Sequence, residues 1–553
     1  MRLASRPCKA NAKAVSDPLD RNFSGAALAH FALTALAITA AWWWLGAPIR
    51  LPPSPLANGG KLYCVSYAPF RDGQDPLSEN VQVSAKKIDE DLTLLSRYTD
   101  CVRTYSVEYG QDQIPGIAQR HGMKVLQGIW LSNKAERNQR QIATAVALAK
   151  KYPDVIRAII VGNEVLLRGD LSLTDLESAI REVKAQVSQP VTYADVWEFW
   201  LRYSDLHNFV DFVTIHILPY WEDFPLPASL AAAHVDAIRK KVAAAIPNKE
   251  IMIGEVGWPS QGRMREDALP SPANQARVIE ETVALAQREN FRVNVIEAFD
   301  QPWKRQLEGA TGGYWGIFDR VTGGPKFSFD DGVSNHPHWL MQALAGIGLA
   351  ACGFAAAVAG RGKNASAWLW PRIAALTFLP AVLFGWTLER LPIDSFTAGG
   401  WLRSLAFAAT AAAAPIACAA ACAAGQGAPT FASVLSRAGG ARGKLSLAVG
   451  LSLIVLTVLS LQSALGLVFD PRYRDIPFAP QSGAVLPFLV LMLSTRRLTG
   501  PRAMAETVAA ALLALSAGYI AFNETFANWQ AIWLCAGFLG LAVTLLQVRD
   551  APS

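Results

Sequence analysis

The sequence predicts an α/β protein whose first half folds as a (β/α)₈ TIM barrel and whose second half is a multi-spanning α-helical membrane domain. Three observations predict it. Strand-like apolar runs alternate with amphipathic helical patterns eight times between residues 58 and 337. Polar residues stand at the carboxyl ends of strands, where barrels of this kind carry their chemistry. After residue 337 the composition changes abruptly to long apolar spans.

The composition supports a membrane fraction. Of 553 residues, 52% are hydrophobic and 17% are charged, which is too apolar for a wholly soluble chain of this size. Residues 58–337 contain 31 Lys and Arg against 36 Asp and Glu, a net charge of −5, so the rest of the chain carries +11 to give the overall +6. The positive charge therefore belongs to segments that flank the membrane, and nothing indicates a nucleic acid partner.

The amino-terminal segment predicts a cytoplasmic tail and an anchor. Residues 1–22 are polar and basic, and residues 23–48 contain an apolar span long enough to cross a bilayer. We interpret the span as an uncleaved anchor, with a cleaved signal peptide as the alternative, because its apolar stretch is long and no clean cleavage site follows. Positive residues before the span place the next domain, residues 58–337, outside the cytoplasm. A stiff proline-rich linker at residues 51–55 leads into that domain.

Eight strands are predicted in this domain, and helical patterns separate them. In the first helical pattern Ile88, Leu92 and Leu95 recur at 4,3 spacing. Eight such units fit a barrel that is large enough to bury its own core. A doubly wound open sheet is the alternative, but no Gly-rich phosphate turn follows the first strand. The predicted strands are residues 62–67, 101–105, 124–129, 155–162, 191–195, 211–216, 250–255 and 292–298.

The fourth strand ends in a polar pair, Asn163 and Glu164. Residues 155–161 before it are apolar and β-branched, which is typical of a strand buried on both faces. A loop is predicted over residues 166–173, and the capping box that starts at Thr174 then opens a helix. The pair is therefore expected at the mouth of the barrel.

The seventh strand ends in a second carboxylate, Glu255, with Trp258 close behind it. In a closed barrel Glu164 and Glu255 face each other across the mouth. Two carboxylates that flank an aromatic-lined cleft are what glycoside hydrolysis requires, one to protonate the leaving oxygen and one to attack or to activate water. The alternative for either residue is a solvated loop charge.

Several ordered motifs resemble glycoside hydrolase family 17. They are VGNEV at residues 161–165, GEVGWPS at residues 254–260, the first strand VSYAP, the second strand VRTY and the closing YWGIF at residues 314–318. That family holds β-1,3-glucanases and glucanosyltransferases of the clan of retaining barrel glycosidases. Its bacterial membrane-bound members, described as β-glucan synthases or cyclic-glucan transglycosylases, are the most similar. The resemblance covers about half of the chain.

The resemblance implies roles for the strand-end residues. Glu164 would be the general acid/base, Glu255 the nucleophile, and Asn163 the partner of the sugar 2-hydroxyl. The family usually carries two tyrosines around the proline after the sixth strand, whereas this chain has Leu218 and Tyr220 there. His216, at the end of that strand, is therefore a candidate partner of the nucleophile, with a purely structural role as the alternative.

The loop after the eighth strand also follows the family in part. Gln301 stands where family members often carry a third glutamate, whereas Lys304 matches the family. Aromatic side chains near strand ends are further candidates for substrate binding, because their flat faces stack on pyranose rings, and core packing is the alternative for each. They are Tyr67, Tyr105, Tyr220, Trp130, Trp197, Trp200, Trp221, Trp258 and Trp303.

Cys64 and Cys101 fall in the predicted exported domain at similar heights on neighbouring strands. A disulfide is conceivable in an oxidising compartment. We expect two buried thiols instead, because strand pairing rarely gives suitable Cβ geometry. The cysteines show no zinc-binding spacing, and the implied mechanism requires neither a metal nor a cofactor.

Residues 338–548 predict a membrane domain of about seven further spans. The Ala-rich fourth span and the short sixth, counted with the anchor as the first, are the weakest. If successive spans cross the membrane in alternate directions, most of the basic residues between them lie on the cytoplasmic side, in agreement with a barrel outside the cytoplasm. The spans are near residues 338–360, 367–387, 401–424, 445–469, 485–494, 507–522 and 529–548. The inside residues are Arg361, Lys363, Arg437, Arg442, Lys444, Arg496, Arg497, Arg502 and Arg549, and the outside ones are Arg390, Arg472 and Arg474.

The loop at residues 469–478 is charged and aromatic yet faces the side of the barrel. One hypothesis is that it contacts the barrel or the glucan. The alternative, which we favour, is an ordinary interfacial loop with snorkelling arginines. Strongly charged residues are absent from the middles of the predicted spans, which argues against an ion-coupled transporter.

The sequence as a whole predicts a bacterial inner-membrane enzyme whose periplasmic barrel transfers glucosyl units of a β-1,3-glucan through a covalent glucosyl-enzyme, in the synthesis or remodelling of periplasmic or cyclic glucans. The expected partners are the β-glucan, the lipid bilayer and a membrane glucan synthase alongside. An endo-β-1,3-glucanase is the first alternative, and a non-catalytic glucan-binding or export subunit is the second. A nucleotide-sugar synthase is weaker, since the sequence shows no Asp-rich donor site.

Overall fold

The computed structural model describes residues 18–78, 81–329, 332–361, 368–436, 443–494 and 503–549. Within these residues eight parallel strands pair in sequence order and close into a barrel, with β1 hydrogen-bonded to both β2 and β8. The predicted fold class is thus confirmed. The strands are β1 (Cys64–Ser66), β2 (Cys101–Arg103), β3 (Lys124–Ile129), β4 (Ile156–Asn163), β5 (Val191–Val196), β6 (Val213–His216), β7 (Ile251–Val256) and β8 (Val293–Val295).

Helices cover the outside of the barrel because each presents an apolar stripe to it. The predicted 4,3 spacing holds, since Ile88, Leu92 and Leu95 are all buried on the first of them. After an amino-terminal helix, α1 (Pro18–Leu45), these helices are α2 (Ala85–Leu95), α3 (Ile114–Arg120), α4 (Ala135–Lys151), α5 (Val165–Arg168), α6 (Leu173–Lys184), α7 (Trp197–Arg202), α8 (Ala228–Ala245), α9 (Pro272–Arg288) and α10 (Arg305–Gly312).

Two local predictions after β4 are wrong. Residues 165–168 form the short helix α5 where a loop is predicted. The cap of α6 is Ser172, whose hydroxyl accepts a hydrogen bond from the Asp175 amide, and not Thr174. Ser172 has extended backbone dihedrals, as an N-cap requires, so Thr174 falls inside the first turn.

Cys64 and Cys101 form a disulfide, so the prediction of two buried thiols is wrong. The two residues lie opposite each other at the start of β1 and β2, one position before the Val65 and Val102 pair. Their Cα atoms are 4.4 Å apart, which lies within the range that a disulfide spans. The bond ties the first two strands together across a separation of 37 residues.

The second half of the chain is a bundle of apolar helices. Within the described residues, six of these helices and α1 are long and apolar enough to cross a membrane, which makes seven candidate spans. The helix α16, at the position of the predicted short span, has 17 residues. The bundle helices are α11 (Trp339–Gly360), α12 (Leu369–Asp394), α13 (Ala398–Ala423), the short α14 (Phe431–Leu435), α15 (Lys444–Phe469), α16 (Phe478–Ser494), α17 (Met504–Asn523) and α18 (Trp529–Gln547).

The long helices run alternately toward and away from the barrel. Ser334, just before α11, donates a hydrogen bond to the carbonyl of Gly46 at the end of α1. The chain segments that enter and leave the barrel therefore lie side by side. The loops after α12, α15 and α17 also contact the barrel. The opposite ends carry the described basic residues Arg361, Lys444 and Arg549, whereas Lys363, Arg437, Arg442, Arg496, Arg497 and Arg502 lie outside the described residues.

The barrel docks on the bundle through the loop after β7. The buried Arg263 pairs with the buried Glu524 of the α17–α18 loop, and it donates hydrogen bonds to the carbonyls of Pro471 and Arg474 in the α15–α16 loop. The amide of Met264 donates to Gln530 Oε1 at 2.9 Å. The α15–α16 loop therefore contacts the barrel, and our preference for an ordinary interfacial loop is wrong.

The disulfide yields a prediction about stability. Replacing both Cys64 and Cys101 by alanine is expected to lower the free energy of unfolding of the barrel by about 4 kcal/mol. The physical reason is that the disulfide joins residues 37 positions apart and so restricts the unfolded chain. The measurement is the thermal unfolding midpoint of the full chain in detergent, with and without a reductant. Cys352→Ala, at an exposed free thiol, is the matched control. A reductant that lowers the midpoint of the double variant as much as that of the wild type would contradict the prediction.

Candidate active site

Glu164 and Glu255 meet at the mouth of the barrel on two sides of one imidazole. His216 Nδ1 lies 2.8 Å from Glu164 Oε1, and His216 Nε2 lies 3.7 Å from Glu255 Oε1. One imidazole nitrogen of His216 and one carboxylate oxygen from each glutamate all lie within 4.8 Å of one another. Retaining glycosidases keep their two carboxyl groups about 5 Å apart, whereas inverting ones hold them farther apart to admit a water.

The backbone at the end of β4 aims Glu164 into the mouth. The strand ends at Asn163, one residue beyond the predicted range 155–162, and Glu164 has a φ of 53° in the left-handed region. That conformation costs a non-glycine residue about 1 kcal/mol. Two hydrogen bonds maintain it, from the Glu164 amide to the Ala194 carbonyl at 2.8 Å and from the Arg168 amide to the Glu164 carbonyl at 2.9 Å.

Arg103, on β2, connects both carboxylate strands from inside the barrel. Its fully buried guanidinium donates to Glu255 Oε1 at 2.6 Å and to the carbonyl of Gly254 at 3.2 Å, and it also donates to Asn163 Oδ1. The sequence reasoning missed this residue, although it stands inside the quoted VRTY motif. Its position in the sequence could have indicated this role, since a charged residue inside an apolar strand needs a buried partner.

Glu255 is held ionised by its surroundings. Burial raises the pKa of its carboxyl, but the charges of His216, Arg103 and Lys304 outweigh burial, so the pKa lies below its ordinary value. The hydroxyl of Tyr105 donates a further hydrogen bond to Glu255 Oε1 at 2.9 Å. Burial, followed by the Glu255 charge, raises the pKa of that hydroxyl well above its usual range, so Tyr105 remains a donor.

The surroundings of Glu164 differ. Asp195, at the end of β5, accepts a hydrogen bond from the buried hydroxyl of Tyr193. Burial raises the pKa of Asp195 to about 6; the bond to Tyr193 lowers it, and the nearby Glu164 charge adds to the rise. The guanidinium of Arg168 lies 4.2 Å from the ring of Trp130 and donates to the Asn163 carbonyl. Glu164 thus shares its side of the mouth with a second acidic residue that the sequence reasoning did not identify.

The loop after β8 adds two more carboxylates. Lys304 forms an ion pair with the buried Glu297, and burial raises the pKa of Glu297 to about 7 although Lys304 opposes this rise. Burial also raises the pKa of Glu308, whose carboxyl is affected by the charges of Lys304, Glu164 and Glu255. Gln301, at the family's third-glutamate position, is buried and donates to the carbonyls of Ala68 and Phe299. Acidic groups therefore remain beside the centre despite that glutamine.

The structure separates the aromatic candidates into two groups. Tyr67, Tyr220, Trp200 and Trp258 are fully buried, and their polar atoms bond to Asp91, to the Arg263 carbonyl, to the Thr214 carbonyl and to the Leu269 carbonyl, respectively. These four therefore pack within the protein and offer no ring face to a substrate. Four half-buried rings keep part of their surface open at this face of the barrel, namely Trp130, Trp197, Trp221 and Trp303.

Glu164, His216 and Glu255 are also spaced as metal ligands would be. The Glu255 oxygen nearest the imidazole, however, already accepts hydrogen bonds from Arg103 and Tyr105. A cation at this point would compete with the guanidinium for that oxygen, so the arrangement fits a carboxylate kept ionised by the protein better than a metal ligand.

Comparison with known proteins shows what the barrel half of the chain is similar to. The sequence model of the BtgE/BtgC glycoside hydrolase domain matches residues 64–316. A glucan 1,3-beta-glucosidase of Schizosaccharomyces pombe is 26% identical over 306 residues, 51% of this chain and 90% of that protein. One from Arthroderma benhamiae is 27% identical over 266 residues, 44% of this chain and 83% of that protein. The solved glycoside hydrolase family 17 beta-1,3-glucanosyltransferase of Rhizomucor miehei is 22% identical, with 49% of this chain and 98% of that one covered at a TM-score of 0.44.

Arg103 yields a prediction about stability and pH. Arg103→Met leaves the buried Glu255 carboxylate without the guanidinium that pairs with it. The substitution is expected to lower the free energy of unfolding by about 3–5 kcal/mol near pH 7. In the wild type the lowered pKa of Glu255 gives stability above the unfolded value of about 4.3, and this stability is lost as the pH falls through the folded value. In the variant, one of the charges that oppose burial is lost while those of His216 and Lys304 remain, so the pKa of Glu255 rises and its ionised carboxylate stabilises the fold less near neutral pH.

The stability difference between the wild type and Arg103→Met is therefore expected to shrink as the pH falls from about 7 toward 4, because Glu255 becomes neutral. Thermal unfolding midpoints of the full chain at both pH values measure it. Arg103→Lys keeps the charge and is expected to show a smaller and less pH-dependent deficit. A deficit of equal size at both pH values would assign to Arg103 a packing role alone.

Proposed function

On the premise that residues 64–316 form a glycoside hydrolase domain of the family 17 type, we propose that this chain is a membrane-anchored retaining β-1,3-glucanosyltransferase. The observation that carries the proposal is the distance of at most 4.8 Å between carboxylate oxygens of Glu164 and Glu255. That separation suits a double displacement, in which one carboxylate attacks the sugar directly. The relatives named as glucan 1,3-beta-glucosidases support a β-1,3-glucan as the substrate.

In the first step Glu255 attacks the anomeric carbon, and Glu164 gives its proton to the departing glycosidic oxygen. The anomeric carbon then carries an ester bond to Glu255, and Glu164 is ionised. In the second step Glu164 takes the proton of an incoming hydroxyl, whose oxygen displaces Glu255. The hydrogen bonds from Arg103 and Tyr105 keep Glu255 ionised for attack, and Asn163, fixed by Arg103, is placed to bind the sugar 2-hydroxyl.

Transfer and hydrolysis differ only in the molecule that enters the second step, a sugar or a water. Docking of the barrel on the bundle favours transfer, since an enzyme fixed at the membrane suits remodelling of a growing glucan, with a membrane glucan synthase as the neighbouring partner. The relatives named as glucan 1,3-beta-glucosidases favour hydrolysis over transfer. The second candidate is therefore a hydrolase, an endo-β-1,3-glucanase that acts on the same substrate.

We place residues 58–337 in the periplasm and residues 23–48 and 338–548 in a bacterial inner membrane. Two observations support this assignment. The disulfide between Cys64 and Cys101 suits an oxidising compartment. The basic residues Arg361, Lys444 and Arg549 lie at the ends of the helices opposite the barrel, as the positive-inside rule requires for an external barrel.

Removal of the nucleophile tests the reaction. The full chain in detergent is expected to convert laminari-oligosaccharides into products longer than the substrate, and Glu255→Gln is expected to lose at least about a thousandfold in turnover because no covalent intermediate forms. Glu250→Gln, on an exposed glutamate just before the same strand, is the matched control and is expected to keep full activity. Wild-type products no longer than the substrate would favour the glucanase over the transferase. Full turnover of Glu255→Gln would show that Glu255 is not the nucleophile.

Reporter fusions test the topology. Alkaline phosphatase, which is active only outside the cytoplasm, is expected to be active when fused after Phe396 at the barrel end of the bundle and inactive after Gln426 at the other end. The physical reason is that the helix between them, α13, crosses the membrane once. A cytoplasmic reporter at the same two positions is the control and should give the opposite pattern. The reverse result would place the barrel in the cytoplasm.

A further inference from the structure

The loop of residues 470–477, which joins α15 to α16, lies on the catalytic face of the barrel. Arg263, in the loop after β7, donates hydrogen bonds to two of its backbone carbonyls, those of Pro471 and Arg474. Gly309, at a kink inside α10, has a φ of 69° and packs so closely against the Tyr473 carbonyl that a Cβ would overlap it. The membrane bundle thus contributes a wall to this end of the barrel.

Tyr473 extends from this wall toward Trp221, which follows β6. The two ring centroids are 5.7 Å apart with an interplanar angle of 73°, and Trp221 in turn stacks on Trp315 at 6.4 Å. Tyr473 nevertheless keeps 40% of its surface exposed. Docking of the loop relies on its backbone carbonyls, so the exposed tyrosine ring is not needed to hold the barrel in place.

The position of the wall relative to the carboxylates follows from the strand order. β6, β7 and β8 are consecutive in the barrel, and Glu255 lies on the middle one. Residues 470–477 contact the segments that follow all three strands, through Trp221 after β6, Arg263 after β7 and Gly309 in α10 after β8. Gly309 directly follows Glu308, whose carboxyl is affected by the charges of Glu164 and Glu255. Tyr473 therefore lies beside the reacting centre and outside it.

We propose that Tyr473 and Trp221 form a sugar-binding subsite beyond the cleaved bond, so that the membrane domain supplies part of the glucan-binding cleft. The partly exposed Tyr473 ring offers flat apolar surface to a pyranose ring, and the exposed Arg472 beside it supplies donors to the sugar hydroxyls. Trp221, which also contacts Trp315 and the guanidinium of Arg265, contributes the part of its ring that stays open. A glucan chain that leaves the carboxylates on this side passes over the loop. The inference rests on the proposed function and specifies where a long substrate is held.

Substrate length tests the subsite. Only a long oligosaccharide reaches Tyr473, so Tyr473→Ala in the full chain is expected to lower kcat/KM for laminariheptaose about tenfold and to leave the value for laminaritriose unchanged. Tyr473→Trp keeps an aromatic face and is expected to restore the activity on the heptaose. Phe526→Ala, on an aromatic residue with 85% exposure in the neighbouring α17–α18 loop, is the matched control and is expected to change neither value.

The outcomes separate this inference from the proposed function. A wild-type chain without activity on either oligosaccharide overturns the proposed function. A wild-type chain with activity, combined with a Tyr473→Ala variant that loses the same factor on both substrates, shows a structural role for the tyrosine and overturns the subsite. Unchanged activity of Tyr473→Ala on both substrates overturns it as well.

Discussion

Inside the mouth of the barrel, one buried cation connects the residues of the candidate active site. The guanidinium of Arg103 on β2 bonds to Asn163 on β4 and to Glu255 on β7, so three strands that are not neighbours are fixed through one side chain. A buried charge is costly unless its hydrogen bonds are satisfied, and the carboxylate of Glu255 is the partner that offsets most of this cost. The same contact that stabilises the barrel also keeps Glu255 ionised.

The two carboxylates acquire different properties because different groups surround them. Glu255 is buried among cations, His216, Arg103 and Lys304, and its pKa is lowered. Glu164 stands on a left-handed turn with Asp195 nearby and only the imidazole of His216 between it and Glu255. The two carboxyl groups therefore lie in different electrostatic environments.

The barrel and the membrane bundle form one interface at the catalytic face. The loop after β7 follows the strand of Glu255 by a few residues and carries Arg263, whose buried pair with Glu524 fixes the barrel to the bundle. The α15–α16 loop contacts the barrel through Arg263, Gly309 and Trp221, on the side of the strand that carries Glu255.

The sequence by itself determined the barrel, the apolar helices and the placement of Glu164 and Glu255 at the ends of their strands. Period-two and 3.6-residue patterns report burial directly, and a strand end in a barrel has one possible face. Only the tertiary structure decided which aromatic rings remain open, that Arg103 joins Asn163 to Glu255, that Cys64 bonds to Cys101, and that the α15–α16 loop reaches Trp221. These contacts join residues far apart in the chain, and local patterns contain no information on the distance between such residues.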